Sequence, residues 1–248
     1  MRYGESLLAH MANLGLVGER VSFAHGVWLT EEDAAVLAGT GTSVVHNPSS
    51  NLRLGSGIAP VRMLLQRGVS IALGTDNASI NDDEDFWTEM RLARYLHRLP
   101  GRYAEWPDEA QILSMATAGG AHVALQGDET GTLEPGKRAD MILVRVPTLD
   151  DSMWSDPKCV LDLLMTRTTR RDVVAVIVQG DLLFRDGEFT NLERERVLDE
   201  LRRSLCNKVR EKSPLSGLTN ILSQYIEAFY ENWDGSDVEP IYTPNSRI

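Results

Sequence analysis

Three times in the first half of the chain, a short apolar run is followed by a polar turn and then by the apolar spacing of an amphipathic helix. The apolar runs lie at residues 21–24, 42–45 and 69–73. Alternation of strand and helix predicts parallel strands with right-handed crossovers, because each helix returns the chain to the same end of the sheet. The predicted fold class is α/β.

The second half of the chain has a different pattern. Runs at 139–146 and 173–187 are rich in β-branched residues, and the turn signals Gly180-Asp181 and Asp186-Gly187 predict antiparallel hairpins. From Leu192 onward, apolar residues at helical spacing alternate with charges of both signs, which predicts solvated helices. This half therefore predicts a small β-domain and a helical extension.

Composition narrows the range of partners. The chain has 248 residues, is 42% hydrophobic and carries a formal net charge of −11. Nucleic acids and anionic membranes select basic surfaces, so neither is an expected partner. Cys159 and Cys206 lie in no metal-like spacing, and no signal peptide or long apolar span is found. We expect a cytoplasmic protein whose partners are a small molecule or another protein.

A polar or titratable residue follows each of the three apolar runs: His25, His46 and Asp76. A lone histidine in such a place is more often structural than functional. Three such residues at equivalent positions indicate one shared site, because the C-terminal ends of parallel strands converge. Asp76, an acid just past a buried strand, is the first candidate for a metal ligand or a proton carrier.

The segments around these residues resemble a known family. The stretches HGVWLTEE (25–32), VHNPSSNLRLGSGIAP (45–60) and GTDNAS (74–79), with ATAGGA (116–121) and GTLEPGKRAD (131–140), are similar to the later barrel strands of the amidohydrolase superfamily. The most similar branch contains methylthioadenosine/S-adenosylhomocysteine deaminases, guanine and cytosine deaminases and triazine hydrolases. The resemblance covers about residues 1–190. It implies an incomplete (β/α)8 TIM-type barrel, namely its last three βα units, followed by part of a small β-sandwich domain and C-terminal helices.

The resemblance also implies roles for four residues. Asp76 matches the aspartate at the end of the eighth barrel strand, which ligates the metal and shuttles a proton from the attacking water. His25 matches the sixth-strand histidine, which hydrogen-bonds the water or the developing oxyanion and binds metal only in a binuclear site. His46 and Asn51 match the loop after strand seven, which lies near the substrate.

The implied cofactor is Zn²⁺ or Fe²⁺, one per complete active site. Either ion lowers the pKa of a bound water to near neutrality. The implied reaction is hydrolysis of a C–N bond in a cyclic amidine, the substrate being a purine, pyrimidine, pterin or triazine-like heterocycle.

The histidines of this chain depart from the family pattern. The family has a His-x-His pair on strand one and a further metal-binding histidine on strand five, whereas this chain contains only His10, His25, His46, His97 and His122. The last two fall in helical stretches and are expected to be structural. Because a catalytic zinc site needs three or more protein ligands, we expect the isolated chain to be inactive. Three βα units cannot close a barrel, so we also expect one exposed edge at the strand ending at His25, another at the strand of residues 70–73, and an uncovered apolar barrel interior.

Two interpretations follow from this departure. The chain is a fragment of a metal-dependent amidohydrolase, or it is a non-catalytic degenerate paralogue or one subunit of a split enzyme acting through protein–protein association. A homo-oligomer or a missing N-terminal portion is expected. The expected domains are the C-terminal part of a barrel at 1–127, a small composite β-domain at 128–190 and a helical extension at 191–248.

Overall fold

The computed structural model describes residues 6–81, 83–146, 157–210 and 216–231. These residues divide into two compact units, one reaching Gly187 and the other beginning at Glu188. The domain boundaries predicted after residues 127 and 190 stay predictions. Trp154, Trp233 and the C-terminal tail from Ser236 lie outside the described residues.

The first unit is built on a parallel sheet of three short strands. They are β1 (Ser22–Ala24), β2 (Ser43–His46) and β3 (Ile71–Leu73). The order is β1-β2-β3, both pairings are parallel, and Phe23, Val44 and Ile71 lie side by side. The α/β class and the three consecutive parallel strands are confirmed, while the rest of the barrel stays a prediction.

Helices connect and cover these strands. They are α1 (Leu7–Asn13), α2 (Glu31–Thr40), α3 (Pro48–Arg53), α4 (Val61–Gln66), α5 (Phe86–Tyr95), α6 (Glu109–Ala116), α7 (Ala118–Val123) and α8 (Pro157–Arg167). Helix α2 begins where its sequence predicts, because Thr30 and Asp33 form a reciprocal capping box. One-turn 3₁₀ helices lie at Tyr103–Glu105 and Arg170–Asp172.

Helix α3 differs from the expectation. The sequence predicts a loop over residues 47–51, but Pro48 begins a helix that continues to Arg53. Proline suits the first turn of a helix, since its missing N–H has no partner there in any case. The polar residues Ser49, Ser50 and Asn51 are therefore held on one helical turn.

The two faces of the parallel sheet differ in burial. Phe23, Val44 and Ile71 face the helices and belong to, or pack against, the main apolar core. On the opposite face, Ala24 is exposed and Ala72 is buried. The face opposite the helices is therefore exposed at β1, and whether this face is the interior of a barrel stays a prediction.

The expectation of a second bare edge at β3 is wrong. All three residues of β3 are buried, because α6 and α7 pack against this strand. The approach is close at Gly119, where a Cβ atom would lie 2.4 Å from the carbonyl oxygen of Ile71. Only a residue without a side chain allows α7 to come this near to the strand.

An antiparallel sheet follows the parallel sheet in the first unit. Strand β4 (Met141–Val144) pairs with β5 (Val173–Val178), which pairs with β6 (Asp181–Arg185). The β5–β6 turn is formed by Gln179 and Gly180, not by Gly180 and Asp181 as predicted. Both turn residues have positive φ, 52° and 87°. A two-residue hairpin turn of type I′ requires positive φ at both positions. Whether a second sheet faces this one stays a prediction.

The second unit is mainly helical. It contains the short strand β7 (Glu188–Phe189) and the helices α9 (Arg194–Arg210) and α10 (Ser216–Glu231). Along α9, Arg196 lies within ion-pair distance of both Glu193 and Glu200, as the alternating charges predict. Within the described part of the chain, no helix is long and apolar enough to span a membrane.

Candidate functional site

Two candidate residues leave their strands in an unusual backbone conformation. His25 follows β1 and Asp76 lies three residues after β3, and both have positive φ, 70° and 64°. Such a conformation costs a residue with a Cβ atom on the order of 1 kcal/mol or more and persists only where the surroundings hold it. Here it interrupts the alternation of strand side chains and turns both groups toward the C-terminal end of the sheet.

These two residues, named here the His25–Asp76 pair, face each other. Nε2 of His25 lies 3.7 Å from Oδ2 of Asp76. Their side chains are 40% and 22% exposed, so both remain open to solvent or a ligand. The structure therefore brings together the two residues that the sequence predicts to be catalytic.

Helix α3 orients both members of the pair. Ser50 donates a hydrogen bond to Oδ2 of Asp76 at 2.6 Å, and Nδ1 of His25 lies 2.8 Å from Oδ1 of Asn51. With Nδ1–H donated to the amide oxygen, a neutral His25 presents the lone pair of Nε2 to the site. Asn51 thus contacts His25 directly, and its own amide nitrogen is buried without a hydrogen-bond partner.

Sequence reasoning missed Ser50 as a site residue. It stands immediately before Asn51 and is fully buried, so its hydroxyl needs an acceptor nearby. The sequence feature that could have indicated Ser50 is the run of polar residues directly after Pro48, which lies on one turn of α3.

His46 lies elsewhere. It comes two residues after Val44 on β2, so its side chain leaves the strand on the same, helix-facing side. It is fully buried, and its Nε2 lies 3.4 Å from Nε2 of His97. The structure does not bring His46 into the opening beside Asp76, and its substrate-binding role stays a prediction.

Burial determines the charge state of the His46–His97 pair. It is the main reason that the pKa of His46 lies well below the usual value, with smaller contributions from His97 and His25. Burial, followed by the nearby charge of Arg62, lowers the pKa of His97 to about 4. Both rings are therefore neutral at pH 7.

The His25–Asp76 pair fits part of a metal site. Carboxylate oxygens and neutral imidazole nitrogens are zinc ligands, and Oδ2 of Asp76 lies 3.7 Å from Nε2 of His25. Within the described ranges, however, no group of three or more His, Cys, Asp or Glu side chains is placed to hold a metal ion. These residues supply at most two ligands of a site that needs more.

Comparison with known proteins identifies the family of the chain. The profile of the amidohydrolase family matches residues 2–183, well over half of the chain. The chain belongs to the amidohydrolase family. The resemblance noted in the sequence is thereby confirmed.

Curated amidohydrolase relatives include nucleoside deaminases. The chain is 37% identical to the 5-methylthioadenosine/S-adenosylhomocysteine deaminase of Syntrophomonas wolfei over 202 residues, covering 81% of the chain and 46% of the relative. It is 36% identical to the 5'-deoxyadenosine deaminase of Methanosarcina mazei, covering 82% of the chain and 46% of that relative.

Solved structures of similar amidohydrolases have the same fold in the matched region. A zinc-bound adenosine deaminase of Xanthomonas campestris superposes with a TM-score of 0.76 at 33% identity, over 85% of the chain and 47% of that protein. The zinc complex of atrazine chlorohydrolase from Arthrobacter aurescens superposes with a TM-score of 0.71 at 28% identity, over 80% and 44%. The chain thus has an α/β fold of the TIM type and spans about half the length of the relatives it matches.

Proposed function

We propose that this amidohydrolase chain carries one side of the active site of a metal-dependent aminohydrolase. The supporting observation is the His25–Asp76 pair, open to solvent and oriented by two residues of α3. The substrate class is an amino-substituted heterocycle. An adenosine-like nucleoside is the first choice, because the relatives described above are named for such substrates.

Asp76 is the proton carrier in this proposal. Its Oδ2 is held by Ser50, while its Oδ1 accepts no hydrogen bond from the described residues. The carboxylate takes a proton from the attacking water as the water oxygen bonds to the ring carbon. It delivers that proton to the amino nitrogen as the C–N bond breaks, so ammonia leaves. The oxygen stays on the ring carbon as a hydroxyl group, whose proton moves to the adjacent ring nitrogen to give the carbonyl.

His25 orients the water. Since its Nδ1–H is donated to Asn51, Nε2 of the neutral ring accepts a hydrogen bond from the water beside Asp76. A protonated ring would instead donate to the developing oxyanion.

The metal ligand proposed in this chain is Asp76, and His25 joins it only in a site with two metal ions. A bound Zn²⁺ or Fe²⁺ supplies a water whose pKa is near neutrality. The remaining ligands must come from residues outside the described chain, either from a further portion of the same protein or from a second polypeptide. We therefore propose that the isolated chain is inactive.

The shortage of ligands also supports a second candidate. A non-catalytic paralogue, or one subunit of a split enzyme, would keep the fold and the His25–Asp76 pair without a complete metal site. Such a chain would act by associating with another protein.

Complementation separates these candidates. The chain is purified alone and also co-expressed with the portion of the Syntrophomonas wolfei deaminase that lies outside the matched region. We expect the chain alone to hold no stoichiometric zinc or iron and to release no ammonia from adenosine or methylthioadenosine. The complemented assembly is expected to bind metal and to release ammonia. The same assembly with Asp76→Asn is expected to lose the release of ammonia.

Each contrary result has a definite meaning. Turnover by the chain alone, with one tightly bound metal per chain, would overturn the proposal that its site is incomplete. A complemented assembly that binds metal but deaminates none of the amino heterocycles would favour the non-catalytic candidate.

A further inference from the structure

A fully buried carboxyl group lies behind the His25–Asp76 pair. Glu89 on α5 is 0% exposed, and no cation pairs with it among the described residues. Burying a carboxyl group is costly unless hydrogen bonds replace its water. The burial of the Glu89 carboxyl group is therefore explained by the groups that donate hydrogen bonds to it.

The donors to Glu89 come from two different segments. Ser49 donates both its backbone N–H, at 3.2 Å, and its hydroxyl. The side-chain amide of Asn81 donates to Oε1 of Glu89 at 2.9 Å and to Oγ of Ser49 at 3.0 Å. Glu89, Ser49 and Asn81 form a closed ring of hydrogen bonds.

Both segments adjoin the site. Ser49 precedes Ser50 and Asn51, the two residues of α3 that contact Asp76 and His25. Asn81 ends the short segment that follows Asp76, and its backbone N–H donates to the carbonyl of Asn77 at 3.0 Å. The ring therefore ties α3 to the segment that presents the reactive carboxylate.

Helix α3 needs such an anchor. It has six residues, and Asn47 at its N-cap makes no side-chain capping hydrogen bond. Helices this short are not stable by themselves, so tertiary contacts fix their position. Three successive side chains of α3 supply these contacts: Ser49 to Glu89, Ser50 to Asp76 and Asn51 to His25.

We propose that Glu89 is a positioning residue of the site: through Ser49 and Asn81 it fixes the two segments that orient His25 and Asp76. This inference rests on the proposed function of the His25–Asp76 pair. Its test is chosen so that it can be read on the isolated chain, without any catalytic activity.

The readout is the tautomer of His25. The chain is labelled with ¹⁵N-histidine, and the ring nitrogens are observed by NMR at about pH 8, where an ordinary imidazole is neutral. The signals of His25 are assigned by their loss in His25→Gln. In the wild-type chain we expect the Nδ1–H form, because Nδ1 faces the amide oxygen of Asn51.

Two variants weaken the anchor in different ways. Glu89→Gln keeps the size of the side chain but replaces one acceptor oxygen by a donor. Ser49→Ala keeps Glu89 and removes only the hydroxyl contacts, while Ser49→Thr restores the hydroxyl. We expect loss of the Nδ1–H preference of His25 in Glu89→Gln and in Ser49→Ala, and a wild-type tautomer in Ser49→Thr.

Glu109→Gln is the matched control. Glu109 on α6 pairs with Arg94, which lies on α5 like Glu89, and no hydrogen bond or ion pair joins Glu109 to α3 among the described residues. Its loss removes a carboxylate next to α5, so it should lower the melting temperature without changing the tautomer of His25.

A purely structural role would give a different result. If Ser49→Ala is folded and less stable, yet His25 keeps its wild-type tautomer, the positioning role is wrong. Should Glu89→Gln fail to fold, the comparison of Ser49→Ala with Ser49→Thr still decides. In the complemented assembly, Glu89→Gln and Ser49→Ala should lower kcat about 10- to 100-fold, the scale expected for a misplaced reactive group, while Ser49→Thr should keep the wild-type kcat. An assembly that never releases ammonia refutes the proposed function and leaves the tautomer result standing.

Discussion

The His25–Asp76 pair and the His46–His97 pair both involve a histidine at the end of a parallel strand, but their surroundings are opposite. His25 has a side chain that is 40% exposed, hydrogen-bonds Asn51 and faces a carboxylate. His46 is fully buried and faces a second neutral imidazole. Equivalent places in the sequence therefore hold one partly exposed histidine and one core histidine.

The two histidines also differ in backbone conformation. His25 has a positive φ, which turns its ring out of the strand alternation, and Asp76 has the same feature. His46 remains in β2 and follows the strand period to the helix-facing side of the sheet. The groups at the opening are thus the two with positive φ, and the buried histidine is the one that continues its strand.

The largest expected effect is a loss of activity on substitution of Asp76 in the His25–Asp76 pair. In the complemented assembly, Asp76→Asn should lower the rate of ammonia release by about 10²–10⁴-fold, since it removes the proton carrier. Folding should be unaffected, because the side chain is partly exposed and amide and carboxyl groups are similar in size. Asp181→Asn, on the exposed start of β6, is the control and should keep full activity. Equal rates for the two variants would refute the role of Asp76.

Acid sensitivity should come from the His46–His97 pair. The folded-state pKa of His97 is about 4, below the ordinary value of 6.5, so the unfolded chain takes up a proton first as the pH falls. Its contribution to stability is therefore present above about pH 6.5 and is lost between about pH 6.5 and pH 4, amounting to about 3 kcal/mol. His46 acts in the same direction.

Urea unfolding between pH 7.5 and pH 4.5 measures this effect. The wild-type chain should lose more stability over this range than His97→Gln, whereas His122→Gln should behave like the wild type. Parallel pH profiles for wild type and His97→Gln would show that the buried pair does not control acid stability.

Sequence reasoning predicted much of the fold and part of the site. Strand and helix periodicity placed β1, β2 and β3, because local apolar patterns determine these elements. It could not show that a helix begins at Pro48 within the predicted loop, nor that Ser50 and Glu89 contribute to the site. Those features depend on contacts between α3 and α5, segments about 40 residues apart, and on the positive φ of Asp76.

Truncation of His46 should lower the free energy of unfolding by more than truncation of His25. His46→Ala empties a fully buried position and should lower the free energy of unfolding by about 2–3 kcal/mol. His25→Ala, at a partly exposed position, should change it by less than about 1 kcal/mol. Urea unfolding at pH 7.5 compares them directly. Similar losses for both variants would contradict the division into a solvent-facing and a buried pair.

The smallest expected effect concerns Gly74, which lies between β3 and Asp76. A Cβ atom at Gly74 would lie 2.4 Å from Oδ1 of Asn47 and 3.0 Å from Cγ1 of Val45. Gly74→Ala should therefore cost about 1–2 kcal/mol of stability, because Asn47 at the start of α3 must move. The matched control is Gly39→Ala in α2, where a Cβ atom meets no heavy atom within 4 Å. That substitution should stabilise the chain by about 0.5–1 kcal/mol, since alanine is the better helix former. If thermal unfolding gives the same sign for both variants, the close packing of α3 against the end of β3 does not constrain the site.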